Sequence, residues 1–187
     1  MQLTGEVRKN GKIRMVETED GTWMRSKDLA VAVKTSKYPS FAKGNTKWID
    51  VSIQRQTLTL FEGKTAIYAT MVSTGKDGLG DPKTTHSTPR GTFRIRDKHA
   101  TDTMDSQVLG SEFELNDVPW VQYFKAGYAI HAAYWHTEFG RARSHGCINL
   151  SPRDARWLFE WTAPGLPPGW FQIHQTQKSR GTHLLIE

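Results

Sequence analysis

From Trp48 onward the chain is a succession of short segments in which apolar and polar residues alternate, each cut off by turn residues. A period of two suits a strand with one buried face and suits a helix poorly, so this stretch points to a β-rich fold. In "WIDVSI" (48–53), Ile49, Val51 and Ile53 alternate with polar neighbours, and "TLTLF" (57–61), "EGK" (62–64) and "TAIYATMVST" (65–74) read as a hairpin. In "GTFRIRD" (91–97), Phe93 and Ile95 alternate with Arg94 and Arg96. "YAIHAA" (128–133), "HGCINL" (145–150), "WFQIH" (170–174) and "HLLIE" (183–187) complete the strand set. Seven Trp, eight Phe and five Tyr supply the large rings that favour such a core.

One segment breaks the period. "SPRDARWLFEWT" (151–162) offers Ser151 as an N-cap, Pro152 at the first helical position and Asp154 where a capping-box acid would sit. Trp157, Leu158 and Trp161 recur at helical spacing as core candidates, and Pro164-Gly165 end the helix. Two stretches show no period: the Gly-, Thr- and Pro-rich 75–91, and the mixed 98–122, whose length suits a functional loop. The first lacks the Gly-x-x-x-x-Gly-Lys-[Ser/Thr] spacing, and the helix after it, that a phosphate-cradling loop requires. Ahead of the strands, "YPSFAKGNTK" (38–47) reads as a linker. "GTWMRSKDLAVAV" (21–33) reads as closing strands, with nothing before Gly21 able to form a domain.

The formal net charge is +6, which favours anionic partners. The Lys and Arg residues are scattered, however, and no nucleic-acid fold signature is present, so nucleic acid is not the expected partner. No stretch approaches the roughly 20 apolar residues of a membrane span. "MQLTGEVRKN" has no apolar core of a signal peptide, so the expectation is a cytosolic protein or a chain from which a targeting segment was removed.

Cys147 is the single cysteine, which excludes an internal disulfide. It can be a small buried hydrophobe, a zinc ligand or a nucleophile. Zinc would need three more donors, and the spacing of His131, His136 and His145 fits no common finger. A nucleophile needs help, because a free thiol is only a few per cent ionised at pH 7. His131 precedes His145 by thirteen intervening residues, enough to run out and return beside it. Arg141, Arg143 and the N-terminus of the helix at Ser151 would lower the thiol pKa. Gly146 would let its own amide and that of Cys147 aim at a developing oxyanion.

The order His131, a gap, then Ser144-His145-Gly146-Cys147-Ile148-Asn149 resembles the signature of the L,D-transpeptidase catalytic domain (YkuD-like). "KWIDVSIQRQTLTLF", "VSTGK", "TPRGTFRI" and "VPWVQYFKAGYAIHAA" look like further parts of that family, so the resemblance covers about residues 47–175. It implies an L,D-transpeptidase-type β-sandwich, mainly β, over 47–187, with one helix after the catalytic Cys strand and the 98–122 segment as a lid. Residues 38–46 would be a linker. Residues 1–37 would be an N-terminal extension whose "GTWMRSKDLAVA" resembles the end of a small Src-homology-type β-barrel module.

The resemblance further implies Cys147 as nucleophile and His131 as general base and later acid, its ring oriented by the main-chain carbonyl of Ala132. His145 and Gly146 would shape the site, and Ser144 and Asn149 would hold the motif backbone. Tyr123 or Tyr128 would reach the oxyanion, and Arg141 and Arg143 would flank the substrate. The partners implied are peptidoglycan stem peptides, with carbapenems as inhibitors, no cofactor and no metal. The reaction would be acyl transfer outside the cytoplasmic membrane through a Cys147 thioester. The outcome would be a 3→3 cross-link or attachment of another amine. The alternatives are an L,D-carboxypeptidase with water as acceptor, or a non-catalytic wall-binding module.

Overall fold

The structure, a computed structural model, describes residues 3–29, 31, 37–106 and 113–187. The chain divides into two compact units, Met1–Val31 and Ala32–Glu187.

The first unit is an antiparallel meander of β1 (Leu3–Asn10), β2 (Ile13–Thr18) and β3 (Trp23–Arg25), closed by a 3-10 turn at Ser26–Asp28. Strands therefore begin well before Gly21, which corrects the sequence-based expectation. In β1 and β2 only Val16 and Thr18 are buried, so the apolar alternation that marks a half-buried strand is missing. The turn between them carries the signal instead. Asn10 pairs with Ile13, and Gly11 takes φ +57°, the left-handed conformation a two-residue hairpin loop needs.

The second unit holds two five-stranded sheets. The first contains β4 (Lys47–Ser52), β5 (Thr57–Glu62), β6 (Thr65–Met71), β7 (Gly91–Arg94) and β13 (His183–Ile186), in the order β6-β5-β4-β13-β7. Only β13 and β4 run parallel in it. The second contains β8 (Asp97–Ser106), β9 (Phe113–Lys125), β10 (Tyr128–Ala132), β11 (Ile148–Leu150) and β12 (Gln172–His174), in the order β11-β10-β9-β8-β12. Inner-face residues of both sheets form one core that includes Ile49, Val51, Leu58, Leu60, Ile130, Ile148, Leu150 and Leu184. These are the apolar members of the alternating segments, which is why the strand pattern was readable.

Two long-range expectations change. Residues 98–106 and 113–122 belong to the antiparallel pair β8–β9 rather than to an irregular loop, and 107–112 lie outside the described residues. The paired positions, such as Thr101, Asp102 and Asp105, are polar, so no apolar period announces them. The 38–46 segment is fastened by aromatic packing. Phe41 stacks on His183 at 4.0 Å and meets Trp48 edge-on at 5.9 Å, while Tyr38 meets Phe61 at 6.4 Å.

The helix α1 (Pro152–Trp161) starts on Ser151, whose hydroxyl accepts from the Asp154 amide at 3.2 Å. The Asp154 carboxylate does not close a capping box. It accepts the hydroxyls of Tyr68 and Thr70, each at 2.6 Å, and so ties the helix to β6. The buried face is Ala155, Leu158 and Phe159. Trp157 is 39% exposed and stacks between Tyr68 at 4.7 Å and Trp161 at 6.2 Å, so it lies on the surface, whereas Trp161 is partly buried and packs against the main core as expected.

Lys98 on β8 is buried beneath the other end of α1, where its ammonium donates to the carbonyls of Phe159 at 2.6 Å and Thr162 at 2.9 Å. A cation there satisfies carbonyls the helix leaves open and faces the negative end of its dipole. Burial pulls the Lys98 pKa from 10.5 down to about 8. Below pH 8 both folded and unfolded chains hold this proton, and the folded chain bears the cost of a buried charge. Between pH 8 and 10.5 the unfolded chain holds more protons, so the contribution of Lys98 to stability rises with pH. The stability of wild type relative to Lys98→Met (wild type minus variant), read from urea midpoints, is expected to rise by about 2 kcal/mol from pH 7 to 9.5. A constant difference would count against a buried charge at this position.

Candidate active site

Strands β10 and β11 are parallel, with His131 opposite Asn149 and Ile130 opposite Ile148. A parallel pair cannot be joined by a tight turn, and residues 133–147 make the crossover. Ile130, Ala132, Ile148 and Leu150 point into the main core, which leaves His131 and Asn149 on the opposite face. Cys147, one residue before β11, joins that face. It packs against Val118, Val121 and Ala129, with Tyr123 and Trp135 around the same cluster. The fold thus brings the motif thiol and the upstream imidazole to one side of one sheet.

Both groups are neutral at rest. Burial pushes the Cys147 thiol up to about 11, a backbone hydrogen bond from Ala129 opposing it only in part. Burial also takes His131 down to about 4. Neither Arg141 nor Arg143 acts on the thiol, which corrects the expectation of a lowered pKa. Arg143 turns to the Glu138 carboxylate, Arg141 is exposed, and the apolar cluster under the sulfur sets the balance. The Nδ1–H of His131 donates to the Ala132 carbonyl at 2.9 Å, which fixes the tautomer and leaves Nε2 as the basic nitrogen. The S–H points at the Gly127 carbonyl at 3.9 Å, and among the described residues no hydrogen bond joins thiol and imidazole.

The motif backbone is held by hydroxyls. The Ser144 hydroxyl donates to the Cys147 carbonyl at 2.5 Å and accepts from the Gly146 amide at 3.0 Å. The Gly146 N–H is therefore engaged, so the expected pair of oxyanion donors reduces to Cys147 N–H, which has no acceptor among the described residues. The Asn149 amide does not hold the motif backbone. It meets His136 Nε2 at 3.1 Å, while the Asn149 main chain pairs with Ser73. The hydroxyl of Tyr123 donates to Asp102 at 2.9 Å and that of Tyr128 to the Pro82 carbonyl at 3.1 Å. Both phenols are thus committed, and neither is a free oxyanion donor. His145 is exposed, with its ring edge-on to His86 at 4.8 Å.

The profile of the L,D-transpeptidase catalytic domain (YkuD) matches residues 46–171, about two thirds of the chain. The chain belongs to the L,D-transpeptidase family. It is 28% identical over 150 residues to the Bacillus subtilis (strain 168) protein YciB, covering 66% of this chain and 64% of that one. It is 35% identical over 102 residues to L,D-transpeptidase 1 of Mycobacterium tuberculosis, covering 48% of this chain and 38% of that one. The chain thus spans less than two thirds of either relative. Among solved structures, an L,D-transpeptidase from Mycobacterium smegmatis is similar at TM-score 0.56 and 25% identity, over 75% of this chain and 58% of that one. An L,D-transpeptidase in complex with imipenem is similar at TM-score 0.59 and 22% identity, over 77% and 60% respectively, and shares the mainly β fold.

Within this L,D-transpeptidase domain, two supports of the motif went unread in the sequence. Thr88 is buried, accepts the Gly75 amide at 2.9 Å and donates to the Gly146 carbonyl at 2.8 Å, pinning the motif from the 75–91 loop. His136 lies against Asn149 beside the motif strand. Its Nδ1 accepts from the Glu138 amide at 3.2 Å, so Nε2 carries the ring proton and the Asn149 amide must turn its oxygen toward it. That turn also supplies Asn149 Oδ1, otherwise buried without a partner, with a donor. A lone Thr in a turn-rich loop and a His in a crossover carry no periodic signal.

Proposed function

We propose that the domain is a cysteine-dependent L,D-transpeptidase acting on peptidoglycan stem peptides outside the cytoplasmic membrane. The observation that carries this reading is the single cysteine of a family domain sharing one sheet face with a buried, tautomer-fixed His131. Sγ of Cys147 attacks the carbonyl that joins the third stem residue, a diamino acid at its L-centre, to the terminal D-Ala, as the thiol proton moves to His131 Nε2. The Cys147 N–H faces the developing oxyanion. The tetrahedral species collapses with cleavage of the C–N bond, the imidazolium gives its proton to the departing amine, and a thioester remains. A side-chain amine of a second stem then attacks the thioester, loses its proton to His131, and leaves a 3→3 amide as the thiol re-forms. An amine is the better nucleophile toward a thioester, which favours cross-linking over hydrolysis.

Relatives solved with imipenem and with a faropenem-derived adduct make a carbapenem the natural probe. Intact-mass analysis after incubation with imipenem is expected to show one added drug mass on wild type and none on Cys147→Ala. Adduct-free wild type, or an adduct that persists in Cys147→Ala, would falsify the reading. Defined tetrapeptide muropeptides are expected to give dimers; tripeptides alone would make water the acceptor.

A further inference from the structure

The β7–β13 edge carries a concentration of positive charge that the proposed acyl transfer does not use. Arg94 on β7 lies directly opposite His183 on β13. Arg94 and Arg96 flank the core residue Ile95 and both line an open cavity of about 340 Å³, with His183, Gln175, Phe93 and Phe124. That volume falls in the range of small-ligand sites, about 300–1,000 Å³. None of these residues belongs to the Ser144–Asn149 motif.

The charges here lack acidic partners. Among the described residues no ion pair involves Arg94, Arg96 or Arg180. Asp97, the nearest acid in sequence, is bonded to His174 Nδ1 at 2.6 Å. Arg180 lies close enough to act on the Arg94 guanidinium as a like charge. Repelling cations beside a cavity raise the energy of the empty site, and an anion entering it removes that cost.

The donors are also set in advance. Arg94 Nη1 donates to the Gly181 carbonyl at 2.7 Å, and its Nη2 lies 2.6 Å from His183 Nε2. Guanidinium has no acceptor, so His183 Nε2 accepts and the neutral ring carries its hydrogen on Nδ1. That Nδ1 is buried without a partner among the described residues, and the ring is held by Phe41 stacked at 4.0 Å. A fixed guanidinium, a second exposed one and a third nearby exceed what one carboxylate needs. They match the charge and the several oxygens of a phosphate group.

We propose that this cavity binds a phosphate oxyanion, either free or monoester phosphate or a small phosphodiester. Isothermal titration with inorganic phosphate, at ionic strength held constant with NaCl, is expected to give saturable binding, and acetate none. Arg94→Gln and Arg96→Gln are each expected to weaken phosphate binding at least tenfold. Arg96 is exposed, so its variant tests the site even if Arg94→Gln disturbs the fold. Dimethyl phosphate separates the sources: affinity equal to that for inorganic phosphate assigns a diester, and a large deficit assigns the dianion. Absence of saturable binding for both probes, or binding unchanged in Arg96→Gln and in folded Arg94→Gln, overturns the proposal. Because the readout is binding, it stands or falls apart from the transpeptidase reading.

Discussion

Replacing His131 with alanine is expected to slow acylation by imipenem about a hundred- to ten-thousand-fold at pH 7 and to change the shape of its pH profile. With a thiol pKa near 11 and an imidazole pKa near 4, the wild-type pair stays uncharged across the whole range between them. Forming a thiolate–imidazolium pair ahead of the substrate would cost on the order of 10 kcal/mol across that gap. Proton transfer therefore accompanies attack instead of preceding it. The reactive form of the wild type is present from about pH 4 to 11, so its acylation rate should be flat between pH 5.5 and 9.5. In His131→Ala only the small thiolate fraction can react, and the rate should climb about tenfold per pH unit over the same range. Stopped-flow acylation of both proteins reads the two slopes directly. A wild-type rate that itself climbs tenfold per unit would mean that free thiolate attacks without a base. A flat profile in the variant would remove His131 from the reaction.

The difference between an expected low thiol pKa and a raised one shows where sequence reading stops. Arg141 and Arg143 precede Cys147 by only a few residues, yet the crossover turns Arg143 toward Glu138. What surrounds the sulfur arrives from Val118, Val121 and Ala129, on strands that the linear neighbourhood does not reveal. Strands β4, β5 and β10 were legible because their apolar residues alternate into one core. Strand β1 is almost wholly exposed and β2 buries only Val16 and Thr18, while β8 pairs with β9 mostly through polar residues, so their backbone pairing leaves little hydrophobic trace. The helix was legible from Ser151 and Pro152, but the role of Asp154 depended on Tyr68 and Thr70, over eighty residues away. The motif itself was legible as an ordered set of residue types. Its supports, Thr88 and His136, come from loops where only tertiary contact gives a residue meaning.

Gly146→Ala is expected to lower stability by about 3 kcal/mol and to reduce imipenem acylation more than a hundredfold. Gly146 has φ +124°, where a side chain is strained regardless of space. Space is also lacking: a Cβ at this position would lie 2.6 Å from Cε1 of Tyr128 and 3.4 Å from the Ser87 carbonyl oxygen. The Tyr128 ring has little room to withdraw, since its hydroxyl is bonded to the Pro82 carbonyl and the ring packs against the main core. The motif must therefore move, and with it the Cys147 N–H and sulfur. A double-mutant cycle separates the two causes. Tyr128→Ala removes the steric conflict and leaves the dihedral strain, so Gly146→Ala in that background should cost only about 1 kcal/mol. Urea denaturation of the four proteins measures the coupling. An equal cost in both backgrounds would assign the requirement for glycine to the backbone alone. No cost in either would mean that neither dihedral strain nor crowding by Tyr128 holds glycine at this place in the motif.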